Sequence, residues 1–98
     1  MSESHDHVVV DVPDAARYEL RVAGETIGHA DYWIDGDVLV IPHVETNPAH
    51  RGRGHAARLM DGVVADVRRR GMRIRPICSY AAGHLRHHPE RDAVVAAR

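Results

Sequence analysis

Arg51-Gly52-Arg53-Gly54-His55-Ala56 is the segment of this 98-residue chain whose residue types are best suited to hold an anion. It lies where a short apolar run ends and a helix-like pattern begins. At such a junction the N–H groups of the first helical turn lack intrahelical partners and point outward, and the helix dipole adds positive potential. The glycines permit positive φ and close approach of a diphosphate to the backbone, while Ala56 leaves the helix start uncrowded. There is no Gly-Lys-Ser/Thr and no Gly-x-Gly-x-x-Gly spacing, so a diphosphate ligand other than those of the common nucleotide loops is indicated. Arg51, Arg53, Arg58, Arg68, Arg69, Arg70, Arg73 and Arg75 face only Asp61 and Asp66 within the same stretch, which should attract anions.

Two further groupings could do chemistry. His84, His87 and His88 fall at i, i+3 and i+4, a spacing at which two histidines can share a zinc ion on one helical face. No acidic or Cys partner completes that shell, so a solvated face is the favoured reading and no metal site is assigned. Arg68-Arg69-Arg70 complements the negative end of a helix dipole, or meets acidic groups of a partner.

The elements that must carry these residues follow from periodicity. Tyr18, Leu20 and Val22 alternate with Glu19, Arg21 and Ala23; Gly24-Glu25 then turns the chain into Ile27–Ile34, a hairpin. Asp35-Gly36-Asp37 signals a second turn. Val38-Leu39-Val40-Ile41 is short, apolar and β-branched, as in a strand covered on both faces. Three antiparallel strands are expected from about 17 to 44. Residues 1–14 read as a flexible tail that could donate one edge strand through Val8-Val9-Val10, leaving 15–98 as a single domain. After Asn47-Pro48 the period changes: Leu59, Met60, Val63, Val64 and Val67 recur at helical spacing, predicting an amphipathic helix from about 53 to 70 that ends at Gly71. Met72–Cys78 reads as a strand restricted to an edge or a bulge by Pro76, followed by helix over 79–87 and a helical turn over 89–96. The fold class is α+β: a mostly antiparallel twisted sheet in the order β-β-β-α-β-α, with one long helix packed on it.

Composition limits the functions available. One small core is all that 98 residues can close. The lone Cys78 has no disulfide partner, and no stretch has the form of a signal peptide or a membrane span, so a cytoplasmic location and no membrane association are expected. A formal net charge of −1 and the lack of interleaved aromatics argue against nucleic acid as a partner.

Arg51-x-x-Gly54-x-Ala56, after a strand and opening a helix, resembles the R/Q-x-x-G-x-G/A pyrophosphate loop of the GCN5-related N-acetyltransferases. Pro42-His43-Val44-Glu45-Thr46, Pro76-x-Cys78-Ser79-Tyr80 and His88-Pro89-Glu90 extend the resemblance to very small single-domain members of that superfamily, over about positions 17 to 95. Where relatives often read His-Thr, Val44 follows His43 here and the Thr comes at Thr46. The resemblance implies a minimal acyl-CoA N-acyltransferase fold, acetyl-CoA as cofactor and an amine acceptor, small molecule or protein. By the same resemblance Arg51, Gly52, Arg53, Gly54, His55 and Ala56 would hold the pyrophosphate. Backbone groups of Val44, Glu45 and Thr46 would pair with the pantetheine arm like an added strand, and Ser79 would touch the cofactor.

Acetyl transfer to an amine needs a base for the ammonium, donors for the carbonyl oxygen and an acid for the departing thiolate. The catalytic candidates are His43, Glu45, Cys78 and Tyr80. His43 could be a base near neutrality or a strand-end histidine bonded to a loop carbonyl. Cys78 could be a nucleophile, a thiol facing the cofactor thioester with no covalent role, or a packing residue, the last favoured by how often free Cys is buried. Tyr80 could protonate the thiolate or sit half in the core. The expected activity is direct attack by the amine in a ternary complex. The rival is a coenzyme A-binding sensor with little catalysis, since Gly24-Glu25 stands where larger superfamily members place acceptor-binding helices. A nucleic-acid accessory using the Arg-rich segment is weaker still.

Overall fold

The structure, a computed structural model, describes residues 7–50, 52, 54–86 and 94–96. Five strands form one sheet in chain order: β1 (His7–Val12), β2 (Arg17–Val22), β3 (Glu25–Asp35), β4 (Val38–Thr46) and β5 (Arg73–Pro76). The first three junctions are antiparallel and β4–β5 is parallel. Two helices complete the fold, α1 (His55–Arg69) and α2 (Ser79–Arg86).

The hairpins are set by local chemistry. Val22 pairs with Glu25, so Ala23-Gly24 is a two-residue turn. Both residues have positive φ, 51° and 85°, the geometry that matches the strand twist. Asp35 pairs with Val38 around Gly36-Asp37, with Gly36 at φ 64°. Gly71, at φ 69°, follows the last turn of α1.

The apolar stripe of α1 (Leu59, Met60, Val63, Val64, Val67) packs on one sheet face, against Tyr18, Leu20, Ala30, Tyr32, Leu39, Ile41 and Ile74. The polar tips of the two core tyrosines are satisfied at the rim. Tyr18 OH donates to Asp66 (2.5 Å) and Tyr32 OH to Asp11 (2.6 Å), while Arg70 bridges Asp11 (2.6 Å) and Asp66 (3.2 Å). This network ties β1, β2 and β3 to the C-terminal end of α1.

Several expectations are refined. From His7 onward, the segment expected as a tail is part of the sheet: Val9 opposes Leu20 and lies against Gly62 of α1. The first two strands are therefore joined by the short turn Pro13–Ala15, and the Ala23-Gly24 turn links the second and third. Strand β5 is shorter than Met72–Cys78 and occupies a sheet edge, as Pro76 requires. The helical turn expected over 89–96 falls mostly outside the described residues; within them, Val94 is buried and Val95 makes a parallel bridge to Ile74. His84 is buried, with Nε2 3.2 Å from Asp61 of α1, so it is not part of a solvated face. His87 and His88 lie outside the described residues. No helix among the described residues is long and apolar enough to cross a membrane.

Candidate active site

Strand β4 carries the feature that makes a site. Asp31 opposes His43 and Trp33 opposes Val40, so Ile41 and Pro42 together face the single residue Tyr32. This bulge inverts the alternation of side chains. Before it, Leu39 and Ile41 point into the core; after it, Val44 packs against the core while His43 and Glu45 are exposed. Were alternation unbroken from Ile41 to Glu45, His43 and Glu45 would fall on the face covered by α1.

The parallel pairing of β4 with β5 ends at Ile41–Pro76. There the Ile41 carbonyl accepts from both Ile77 N–H (2.9 Å) and Cys78 N–H (3.0 Å), and the chain turns into α2. Residues 42–46 continue with β3 on one side and, among the described residues, no strand on the other. In an antiparallel ladder alternate residues bond to the partner strand, so the remaining N–H and C=O groups of this stretch are aimed at the opening. The opening is a cleft of about 750 Å³, lined by His43, Val44, Glu45, Thr46, His50, Gly52, Gly54, His55, Ala56, Ala57 and Tyr80.

At one end of this cleft lies the start of α1. Gly54 is the residue before the helix, in the left-handed region at φ 74° and ψ 15°, and Gly52 has φ 80°. A Cβ built on either would meet no protein atom within 4 Å, so at these positions the cleft comes right up to the backbone. Among the described residues, the first i→i−4 bond of the helix runs from Arg58 N–H to the Gly54 carbonyl (3.1 Å). Ala56 and Ala57 belong to the first turn of α1, where N–H groups have no intrahelical acceptor. A hydrogen-bonding, positively polarised, uncrowded helix start is what a diphosphate requires, so the residues present fit an acyl-CoA pyrophosphate.

The titratable groups stand along β4 and at the start of α2. His43 Nε2 is 3.1 Å from Glu45 Oε1. On β3, His29 Nε2 is 3.9 Å from the same oxygen and 3.8 Å from Asp31 Oδ1. Tyr80 stacks on His84 with ring centroids 6.1 Å apart. Burial, then the Asp61 charge, raises the Tyr80 phenol above its ordinary pKa, so it holds its proton.

Most of the residues singled out from sequence meet in this cleft: His43, Val44, Glu45, Thr46, Gly52, Gly54, His55, Ala56 and Tyr80. Arg51 and Arg53 lie outside the described residues. Cys78 and Ser79 do not line the cleft, and Cys78 is half-buried and packed against the core. Sequence reasoning passed over His50 and Ala57. It also passed over His29, whose place beside Glu45 depends on strand register; the signal available was its spacing of two from Asp31.

A family model described as GCN5-related N-acetyl-transferase matches residues 17–94. No curated protein sequence gives a significant match. Among solved structures, a GCN5-like candidate N-acetyltransferase from Staphylococcus aureus is similar at TM-score 0.71 and 17% identity, over 95% of this chain and 91% of that one. The ribosomal-protein-S18-alanine N-acetyltransferase of Escherichia coli is similar at TM-score 0.61 and 11% identity, over 84% of this chain and 51% of that one. A candidate acyl-CoA N-acyltransferase of Klebsiella pneumoniae subsp. pneumoniae is similar at TM-score 0.57 and 23% identity, over 79% and 58%. The chain thus spans between half and three-fifths of the length of the latter two, and at these identities the likeness is one of fold. With the family model covering most of the chain, the chain belongs to the GCN5-related N-acetyltransferase family and is an acyltransferase.

Proposed function

We propose that the protein binds acetyl-CoA in the β4–α1–α2 cleft and transfers the acetyl group to an amine by direct attack in a ternary complex. The observation that carries this reading is the parting of β4 from β5 after Ile41–Pro76, which opens a cleft with a helix start at one end and a His–Glu pair and a protonated phenol along its walls. Its volume of about 750 Å³ is that of a site for one elongated organic ligand. When bound, acetyl-CoA supplies the activated acyl group.

Each remaining task falls to the chain. The N–H groups of Ala56 and Ala57 and the open backbone at Gly52 and Gly54 hold the pyrophosphate, with Arg51 and Arg53 proposed to add charge. Backbone groups over 44–46 take the pantetheine arm as a strand would. With Glu45 accepting from Nε2–H of His43, the Nδ1 of that ring carries the lone pair and takes the proton of the acceptor ammonium. Tyr80, held neutral, donates to the departing thiolate. Cys78 packs against the core and does not line the cleft, which supports direct attack over an acyl-enzyme. The acceptor is an amine of a small molecule or of a protein, as in the E. coli neighbour, and the lone, unpaired Cys78 suits a cytoplasmic setting. The short Pro13–Ala15 link between the first two strands favours one alternative, a coenzyme A-binding sensor with little turnover.

Gly54→Val tests the site. Its Cβ meets no protein atom, so the protein should fold, at a cost of about 1–2 kcal/mol for an L side chain in the left-handed region. Coenzyme A binding by isothermal titration should vanish, because Cβ and its methyls fill the anion's place. Unchanged affinity in a folded variant would put the ligand elsewhere. Release of free thiol from acetyl-CoA, accelerated by a panel of amines, separates the enzyme from the sensor.

A further inference from the structure

Strands β3 and β4 hold four ligand-bearing side chains at the corners of a rectangle. His29 is the cross-strand partner of Glu45, and Asp31 of His43. Directly opposed residues project to the same face of a sheet, and this is the face away from α1, since Ala30, between His29 and Asp31, and Tyr32, next to Asp31, are core residues. The bulge at Ile41-Pro42 puts His43 and Glu45 there.

We propose that His29, His43 and Glu45 form a binding site for a divalent transition metal of the zinc type, open at its fourth position. The His29 and His43 ring nitrogens and the Glu45 carboxylate oxygen all lie within 4.8 Å of one another. The measured edges are 3.1 Å from His43 Nε2 to Glu45 Oε1 and 3.9 Å from His29 Nε2 to the same oxygen. With Zn–N and Zn–O bonds of about 2.0–2.1 Å, a tetrahedral site has ligand-to-ligand edges of about 3.3 Å, so closing the shell draws His29 toward Glu45 by about 0.6 Å and the two histidine nitrogens together by up to about 1.5 Å, within reach of side-chain rotation. His43 and Glu45 are 53% and 52% exposed, which leaves the site reachable by ions. Asp31, 3.8 Å from His29 Nε2, adds negative potential beside it. Two imidazoles and one carboxylate suit zinc and its neighbours in the transition series, whereas calcium and magnesium prefer all-oxygen shells. A second consequence rests on the proposed acyl transfer: a metal held by His43 and Glu45 occupies the pair that would move the ammonium proton, so it inhibits turnover.

The test uses the full chain without a purification tag, stripped of metal, and titrated with Co²⁺ while the visible band of tetrahedral cobalt is read. Wild type should show the band at one equivalent, and excess Zn²⁺ should abolish it. His29→Ala and, as a more conservative change, His29→Gln should each lose the band and bind at least tenfold more weakly. Amide NMR shifts on adding Zn²⁺ should centre on β3 and β4. No band in wild type, or the same band and affinity in both His29 variants, would overturn the proposal by assigning any bound metal to other histidines. In the thiol-release assay, Zn²⁺ inhibition should disappear in His29→Ala. A protein without turnover would still show the cobalt band, so the metal site and the acyltransfer reading fail separately.

Discussion

Gly62 lies in the middle of α1, where glycine costs about 1 kcal/mol relative to alanine. The structure shows why alanine is not there. A Cβ at 62 would stand 2.5 Å from Val9 Cβ and 2.9 Å from its Cγ1, closer than non-bonded carbons approach. Rotation of the Val9 side chain leaves its Cβ in place, so the clash is relieved only by moving β1 away from α1. Strand β1 resists, because Val9 is paired with Leu20 and Asp11 is bonded to Arg70 and Tyr32. Overpacking of this kind costs about 1–3 kcal/mol. With contact at Cβ itself the upper part of that range applies, and after the helix-propensity gain Gly62→Ala should destabilise by about 1–2 kcal/mol. Val9→Gly removes the obstacle. In that background the sign should reverse, and Gly62→Ala should stabilise by up to about 1 kcal/mol. Urea denaturation of the four proteins of this double-mutant cycle measures the coupling. If Gly62→Ala alone is as stable as wild type, or if its effect is the same with Val9 and with Gly at position 9, the close packing of β1 on α1 is wrong.

Ala23 holds φ 51° in its turn, so Ala23→Asn should stabilise by about 0.5–1 kcal/mol, read as a higher Tm. Hydrogen bonds from Arg21, then Arg17, lower the Glu19 carboxyl from 4.5 to about 2. Its contribution to stability should be complete above pH 4.5 and lost as pH falls toward 2, and Glu19→Gln should flatten that acid limb in pH-dependent denaturation. Burial raises the Tyr18 and Tyr32 phenols from 10 to about 12. Stability should therefore hold below pH 10 and decline as pH rises through 10 to 12, with ultraviolet titration showing both phenols ionising later than Tyr80. Cys78→Ala should retain much of wild-type turnover, and intact-protein mass spectrometry after mixing with acetyl-CoA should show no acetyl adduct on Cys78; an adduct that passes to acceptor, with an inactive variant, would make it the nucleophile.

What the chain announces by itself is local. The 3.6-residue recurrence of Leu59, Met60, Val63, Val64 and Val67 defines α1 to within two residues at its start and one at its end, because burial of one face is written in spacing alone. The two-residue turns are equally legible from Gly24 and Gly36, and the anion loop from glycines that sit just before the helix. The family resemblance carried by Arg51–Ala56 and Pro42–Thr46 brought Gly54, Ala56, His43 and Glu45 forward as one site. The tertiary structure decided what depends on register and on distance. Strand β1 joins the sheet by pairing with β2, and Gly62 lets its Val9 lie against α1, a contact between residues 53 positions apart. The bulge at Ile41-Pro42 turns His43 and Glu45 to the uncovered face, and only cross-strand pairing brings His29 beside them. Cys78 packs against the core, as the usual burial of free Cys favours, whereas His84, expected on a solvated face, is tied to Asp61 by the packing of α2 on α1. Periodicity records which face of an element is buried; which residues meet across elements is settled by pairing register and by the space left between backbones.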